Sequence, residues 1–210
     1  MVTKRIAKEE EMEHYYSNNP TSKSEERIIE YKIKEKNIKF ISDNGVFSKG
    51  HVDIATNFML NVLIEENISG KLLDVGCGYG TIGITLSKFF DIDVTMLDIN
   101  ERALNLARKN VKLNNVGNVK IIESDGFEKI NEEYDVIVTN PPIRAGKAVI
   151  YKMYEDSYMH LKAGGVLYLV INKKHGAPST KEFLTQLFEN CEILDKQTGF
   201  NVMKCVKENT

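Results

Sequence analysis

The residues of this chain best suited to chemistry are Asn140-Pro141-Pro142, directly after the strand-like run Tyr134–Thr139 with its apolar centre Val136-Ile137-Val138. An Asn side-chain oxygen and a neighbouring carbonyl can together accept both hydrogens of an amine whose lone pair is delocalised. That pulls the nitrogen toward tetrahedral geometry and frees its lone pair to attack. The two prolines fix φ and remove two N–H donors, so the carbonyl is held rigidly outward. No strong general base is needed, because the proton becomes acidic only once the new bond has formed. The same residues also fit a plain Asn-Pro turn leaving a strand. What weighs against the turn is the company they keep.

That company is a set of acids and glycines at earlier strand ends. Asp74-Val75-Gly76-Cys77-Gly78-Tyr79-Gly80 closes an apolar run and opens an amphipathic helical pattern. Glycines there let backbone approach a ligand where no Cβ intervenes, and the helix start offers unpaired N–H groups. Gly78-x-Gly80-x-x-Gly83 matches the dinucleotide fingerprint, with Asp98 twenty residues beyond Gly78. The register argues against that reading, because the strand already ends at Val75 and Gly83 falls inside the helix. Read from the strand end, Asp74-x-Gly76-x-Gly78-x-Gly80 resembles the first motif of the class I S-adenosylmethionine-dependent methyltransferases.

Asp98, in Leu97-Asp98-Ile99-Asn100, could accept both hydroxyls of a ribose while Ile99 lies along the adenine face. An acid favoured by a helix dipole is the alternative. Asp125-Gly126 could bond the exocyclic amine of adenine, with Phe127 near the ring; an Asp-Gly turn fits as well.

The elements that must position these groups alternate. Two short β-like runs, Ile28–Ile33 and Ile38–Ile41, predict a hairpin, after a polar arm with a short helix before His14. A helix capped by Asp53 runs to about Glu66. Strands follow at Lys71–Val75, Val94–Leu97, Val119–Glu123, Tyr134–Thr139 and Val166–Ile171. They are separated by helices at Thr81–Phe89, Glu101–Leu113 and Ala148–Leu161, the last ending at Ala163-Gly164-Gly165. A final helix, Ser179–Phe188, leads to strands Glu192–Gln197 and Asn201–Lys207, of which at least one must be antiparallel. The expected fold is α/β and Rossmann-like: a mostly parallel sheet with an antiparallel C-terminal strand, helices on both faces and a small N-terminal β hairpin. The expected division is an arm and hairpin over 1–45 and a catalytic domain over 46–210.

Hydrophobic content of 42% and charged content of 28% are ordinary for a globular protein, and no apolar run approaches the length of a membrane span. The start of the chain carries no signal-peptide pattern. Cys77, Cys191 and Cys205 lack the spacing of a disulfide framework or a zinc site, so no metal is expected and a cytoplasmic location fits. Val46–Asn140 holds 9 basic and 14 acidic residues, and Pro141–Glu182 holds 7 and 3. An acidic half suited to a cationic sulfonium thus adjoins a basic stretch suited to a polyanion, although solvated helix faces would give the same counts.

Together, Asp74–Gly80, Asp98, Asp125 and Asn140-Pro141-Pro142 resemble the amino-methyltransferase branch of the class I fold. Phe40–Ser48 and Asn140–Lys147 are similar to the ribosomal RNA small subunit (guanine-N2) methyltransferase C-like group, over about residues 12–207 and in single-domain form. The resemblance implies that Asn140 and the Pro141 carbonyl position the acceptor amine, with Pro142 fixing the turn. It implies S-adenosylmethionine held by Asp74, Gly76, Gly78, Gly80, Asp98, Ile99, Asp125, Gly126 and Asn140. The implied substrate is a guanine of ribosomal RNA or of the small ribosomal subunit. Ile143 stands where many base-amine methylators carry an aromatic that stacks on a flipped base, so either stacking comes from elsewhere, with Phe47 the candidate, or the acceptor is not a fully flipped base. Arg144, Lys147, Lys173 and Lys174 would meet phosphates, and His175 fits a surface loop better than a base. Two alternatives remain at this point: methylation of a protein glutamine amide, whose nitrogen is equally delocalised, and a protein that binds cofactor or RNA without turnover.

Overall fold

In a computed structural model that describes residues 25–44, 46 and 50–208, the two expected regions share one core. The anticipated helix before His14 and the Phe47-Ser48 segment lie outside the described residues. The N-terminal hairpin is β1 (Arg27–Ile33) and β2 (Lys36–Ser42), followed by helix α1 (Ile54–Leu63). The alternating part is β3 (Gly70–Val75), α2 (Thr81–Phe89), β4 (Ile92–Asp98), α3 (Glu101–Leu113), β5 (Val119–Glu123) and β6 (Tyr134–Thr139). It continues with α4 (Lys147–His160), β7 (Leu161–Asn172), α5 (Ala177–Phe188), β8 (Glu192–Gln197) and β9 (Phe200–Val206).

The seven-stranded sheet has the order β5-β4-β3-β6-β7-β9-β8, and β9 runs antiparallel to both of its neighbours. Strands buried on both faces explain the near-continuous apolar runs. Leu72, Met96, Val138, Val170 and Val202 pack with α1, α2, α3 and the hairpin, whereas Leu73, Leu97, Ile137, Leu169 and Met203 pack with α4 and α5. Ile33, Ile38 and Phe40 of the hairpin belong to the first of these cores.

Many element ends shift by one to three residues from expectation, and the start of β7 shifts by five. Ala163-Gly164-Gly165 does not end a helix but lies within β7, a single strand that starts at Leu161. A pair of glycines reads as a helix stop, yet here Gly164 takes φ of 77° and donates its N–H to the Lys207 carbonyl at 2.7 Å. The pairing of β6 with β7 is irregular between Tyr134 and Val136 to accommodate it.

The hairpin is tied to α3 by side-chain amides. Asn110 accepts from the Ile41 N–H at 2.6 Å and donates to the Ile41 carbonyl at 3.0 Å. One turn on, Asn114 accepts from the Lys39 N–H at 3.2 Å and donates to the Lys39 carbonyl at 2.7 Å. At the hairpin's end, buried Asp43 pairs with Arg102 of α3 at 2.6 Å.

Candidate active site

Register fixes where the site lies. Val75 of β3 sits opposite Leu97 of β4 on one side and Thr139 of β6 on the other. Gly76, Asp98 and Asn140 therefore leave the sheet side by side. This is the point where strand order reverses, with β4 and β5 to one side and β6 and β7 to the other. In an open α/β sheet that crevice is the ligand site. Thr139 Oγ1 donates to the Val75 carbonyl at 2.9 Å and pins the two strand ends together.

The glycine turn is built by backbone donors pointing at β4. Gly76 and Cys77 both donate to the Leu97 carbonyl at 2.9 Å, and Gly78 donates to Asp98 Oδ2 at 2.8 Å. Gly76 and Gly78 have φ of 71° and 56°, and a Cβ added to either would meet nothing within 4 Å. They form an open backbone cradle. At Gly80 and Gly83 packing leaves no room for a side chain: an added Cβ would come within 2.9 Å of Ile84 Cδ1 and 2.8 Å of Met96 Sδ respectively.

Asp74 lies beneath the cradle, fully buried, with Oδ2 accepting the Gly83 N–H at 2.9 Å. Its Oδ1 is buried with no hydrogen-bond partner. Burial pushes the carboxyl up to about 7; the Gly83 N–H offsets part of this, and nearby Asp98 adds to it. The open cradle gives a ligand room against backbone, and Asp74 below it keeps one carboxyl oxygen with no hydrogen-bond partner among the described residues. Burial also lifts the Cys77 thiol well above its usual range, so it stays protonated and is no nucleophile.

Asp98 is half-buried and accepts from Gly78 and, through Oδ1, from the Asn100 N–H at 2.9 Å. Burial raises its carboxyl and those N–H groups oppose the rise. Each oxygen keeps a lone pair for a further donor. Ile99 beside it is half-exposed. Ser124 donates its N–H to the Asp98 carbonyl at 3.0 Å, which sets exposed Asp125 and half-exposed Gly126 at the same edge. Phe127, expected near an adenine ring, is instead a core residue against His160, with ring centroids 5.0 Å apart. The aromatic after an Asp-Gly turn has followed the chain inward.

Across the crevice, Asn140 Nδ2 donates to Asp53 Oδ2 at 3.1 Å and to Thr56 Oγ1 at 3.0 Å. An ionised carboxylate can only accept, so the NH2 group must face Asp53 and the carbonyl oxygen must face away. That oxygen receives no hydrogen bond from any described residue. Pro142 is engaged, its carbonyl accepting from the Ala145 N–H at 2.8 Å as residues 143–145 form a short 3-10 turn. The Pro141 carbonyl receives none from the described residues. Asn140 and Pro141 thus each keep an acceptor that no described residue engages.

Around this edge Arg144, Lys147, Lys173, Lys174 and His175 are exposed, and Ile143 is half-buried. The Lys147 ammonium lies over the Tyr151 ring at 4.9 Å from its centroid. Phe47 lies outside the described residues. Among those described, no cluster of three or more His, Cys, Asp or Glu could hold a metal ion, and no helix is long and apolar enough to cross a membrane.

Sequence reasoning marked Asp53 as the α1 cap, and it does accept the Thr56 N–H at 3.0 Å. Its contact with Asn140, 87 residues away, left no signal in spacing. Nor did the role of Asn110, which donates to the Tyr79 carbonyl of the glycine turn at 2.9 Å as well as to the hairpin. An Asn among the buried positions of an amphipathic helix was the available clue.

A family model, the methyltransferase small domain, matches residues 37–204. The uncharacterized protein YbxB of Bacillus subtilis (strain 168) is 43% identical over 198 residues, which cover 93% of this chain and 98% of that one. The ribosomal RNA small subunit methyltransferase C of Haemophilus influenzae (strain PittGG) is 34% identical over 171 residues, covering 79% of this chain and 50% of that one. Among solved structures, the T. thermophilus 16S rRNA N2 methyltransferase (RsmC) in complex with AdoMet and guanosine superposes with a TM-score of 0.78 at 26% identity. That match covers 90% of this chain and 53% of the other. The chain spans about half the length of these last two proteins.

Proposed function

Because the chain belongs to the methyltransferase small domain family, we propose that it methylates an exocyclic amine of a base in RNA, and that the base is a guanine of small-subunit ribosomal RNA modified at N2. The cofactor is S-adenosylmethionine, which when bound supplies an electrophilic methyl on a sulfonium. Gly76 and Gly78 offer backbone to it, with Asp74 beneath. Asp98 accepts its ribose hydroxyls beside Ile99, and Asp125 and Gly126 meet the adenine end.

On the acceptor side Asn140 Oδ1 and the Pro141 carbonyl hold the two amine hydrogens. That hold withdraws the nitrogen lone pair from the ring and aims it across the crevice. Transfer would break the bond from the methyl carbon to sulfur, returning its electron pair to a neutral thioether, and the surplus proton on the methylated nitrogen would then pass to solvent. Arg144, Lys147, Lys173 and Lys174 contact RNA phosphates around the site, giving affinity that falls with salt. The partner is ribosomal RNA or the small ribosomal subunit, in the cytoplasm.

The observation that carries this reading is the Asn140 amide, whose NH2 is committed to Asp53 and Thr56 so that its oxygen is left for a donor. The preference for guanine in ribosomal RNA leans on likeness to the two methyltransferases above. The test supplies methyl-labelled cofactor and purified protein to ribosomal RNA, small subunits and protein fractions from a strain lacking this chain. Label recovered as N2-methylguanine in small-subunit RNA is expected. Label confined to protein, as methylated glutamine, would overturn the RNA assignment.

A further inference from the structure

We propose that Asp53 is a positioning residue for methyl transfer. Its Oδ2 holds the Asn140 amide with the carbonyl oxygen outward, and so restricts the site to acceptors that present N–H hydrogens. The inference rests on the functional reading above and deepens it.

Two orientations of the Asn140 amide fill the same space, and only one serves an amine. Flipped, Asn140 would aim its own N–H groups at the amine hydrogens and offer no acceptor. Thr56 cannot decide between the two, since a hydroxyl donates or accepts equally well. Asp53 decides, because the flipped amide would set its oxygen against the carboxylate at the 3.1 Å now spanned by a hydrogen bond. Asp53 is itself held. The same Oδ2 accepts the Thr56 N–H at 3.0 Å, and the Asp53 carbonyl accepts the Asn57 N–H at 2.8 Å. The oxygen that starts helix α1 thus also orients the amide across the crevice, with no freedom of its own to turn.

The test compares Asp53→Ser and Asp53→Asn. Serine keeps an N-cap acceptor for Thr56 but is one bond too short for Asn140. Asparagine keeps an oxygen, fixed toward Asn140 by the same Thr56 N–H. We expect Asp53→Ser to lower kcat on ribosomal RNA by about 10- to 100-fold, with cofactor Kd and Tm nearly unchanged, and Asp53→Asn to restore most of the rate. In an Asn140→Ala background Asp53→Ser should cost nothing further. Additive losses in the double variant, or equal losses in Asp53→Ser and Asp53→Asn, would overturn the proposal. A substrate-free reading separates the two questions: slowly exchanging NMR signals of the Asn140 side-chain NH2 hydrogens that Asp53→Ser abolishes. Their presence in a protein that methylates no RNA would sink the functional reading and leave the orientation standing. Their absence would sink the orientation.

Discussion

Gly78 gives its amide hydrogen to Asp98 Oδ2 at 2.8 Å, so the tip of the glycine turn and the end of the neighbouring strand are held by one carboxylate. Removing it frees the turn and deletes the group assigned to the ribose. Hydrogen bonds to a charged group contribute about 1.5–3 kcal/mol each. Asp98→Ala should therefore raise the cofactor Kd by about 10- to 100-fold while kcat at saturating cofactor stays within a few-fold. Calorimetric titration with the demethylated cofactor checks the first, and turnover at high cofactor the second.

Asn140→Ala should do the reverse. The side chain hydrogen-bonds to Asp53 and Thr56, and among the described residues no hydrogen bond joins it to the glycine turn, Asp98 or Asp125. Turnover should fall by about 100-fold or more, on the scale of losing a preorganised polar group at the reacting centre, with cofactor affinity almost unchanged. Parallel losses in both would move Asn140 into the cofactor pocket.

Asp74 makes stability depend on pH in an uncommon direction. Its carboxyl holds a proton up to about 7 in the folded chain because of burial, while the unfolded chain releases it near 3.8. The folded state therefore binds more protons across that interval. Its stability declines as pH rises from about 4 to about 7 and is level above. The full interval corresponds to about 4 kcal/mol at most. Asp74→Asn keeps an oxygen for the Gly83 N–H and abolishes the decline. Urea unfolding at pH 5 and pH 8 should show the variant gaining on the parent protein at pH 8; an equal difference at both pH values would refute the burial argument.

The glycines divide by what an added methyl would meet. Gly78→Ala enters open cradle at a left-handed φ, so it should cost about 1–2 kcal/mol of backbone strain and obstruct the cofactor. Gly83→Ala drives a methyl into Met96 and Val94 inside the fold, with Val94 Cγ1 at 3.0 Å. It should destabilise by about 1–3 kcal/mol of overpacking, with weaker effect on cofactor affinity. Melting curves and cofactor titration on both variants separate the two roles.

The alternation of strands, the glycine turn and the acids at strand ends were legible because each is local. An apolar run, a turn and an amphipathic helix announce themselves within a dozen residues. The start of β7 was not, because Gly164-Gly165 carries the same letters whether it stops a helix or bends a strand, and only pairing with Lys207 decides. Phe127 was misplaced for a related reason: the turn at Gly126 could be read, but not the direction in which the next side chain leaves it. The orientation of Asn140 was beyond reach, since it depends on an acid 87 residues away that registers locally only as a helix cap.

A two-stranded ribbon ordinarily leaves an outer row of main-chain donors and acceptors on which a second molecule can polymerise. Asn110 and Asn114 occupy that row at Ile41 and Lys39, imitating a third strand with two side chains one helical turn apart. The ribbon is thereby closed to self-association at these two residues of β2, and replacing both asparagines would open a template for aggregation and also cut the Asn110 bond to the Tyr79 carbonyl of the glycine turn.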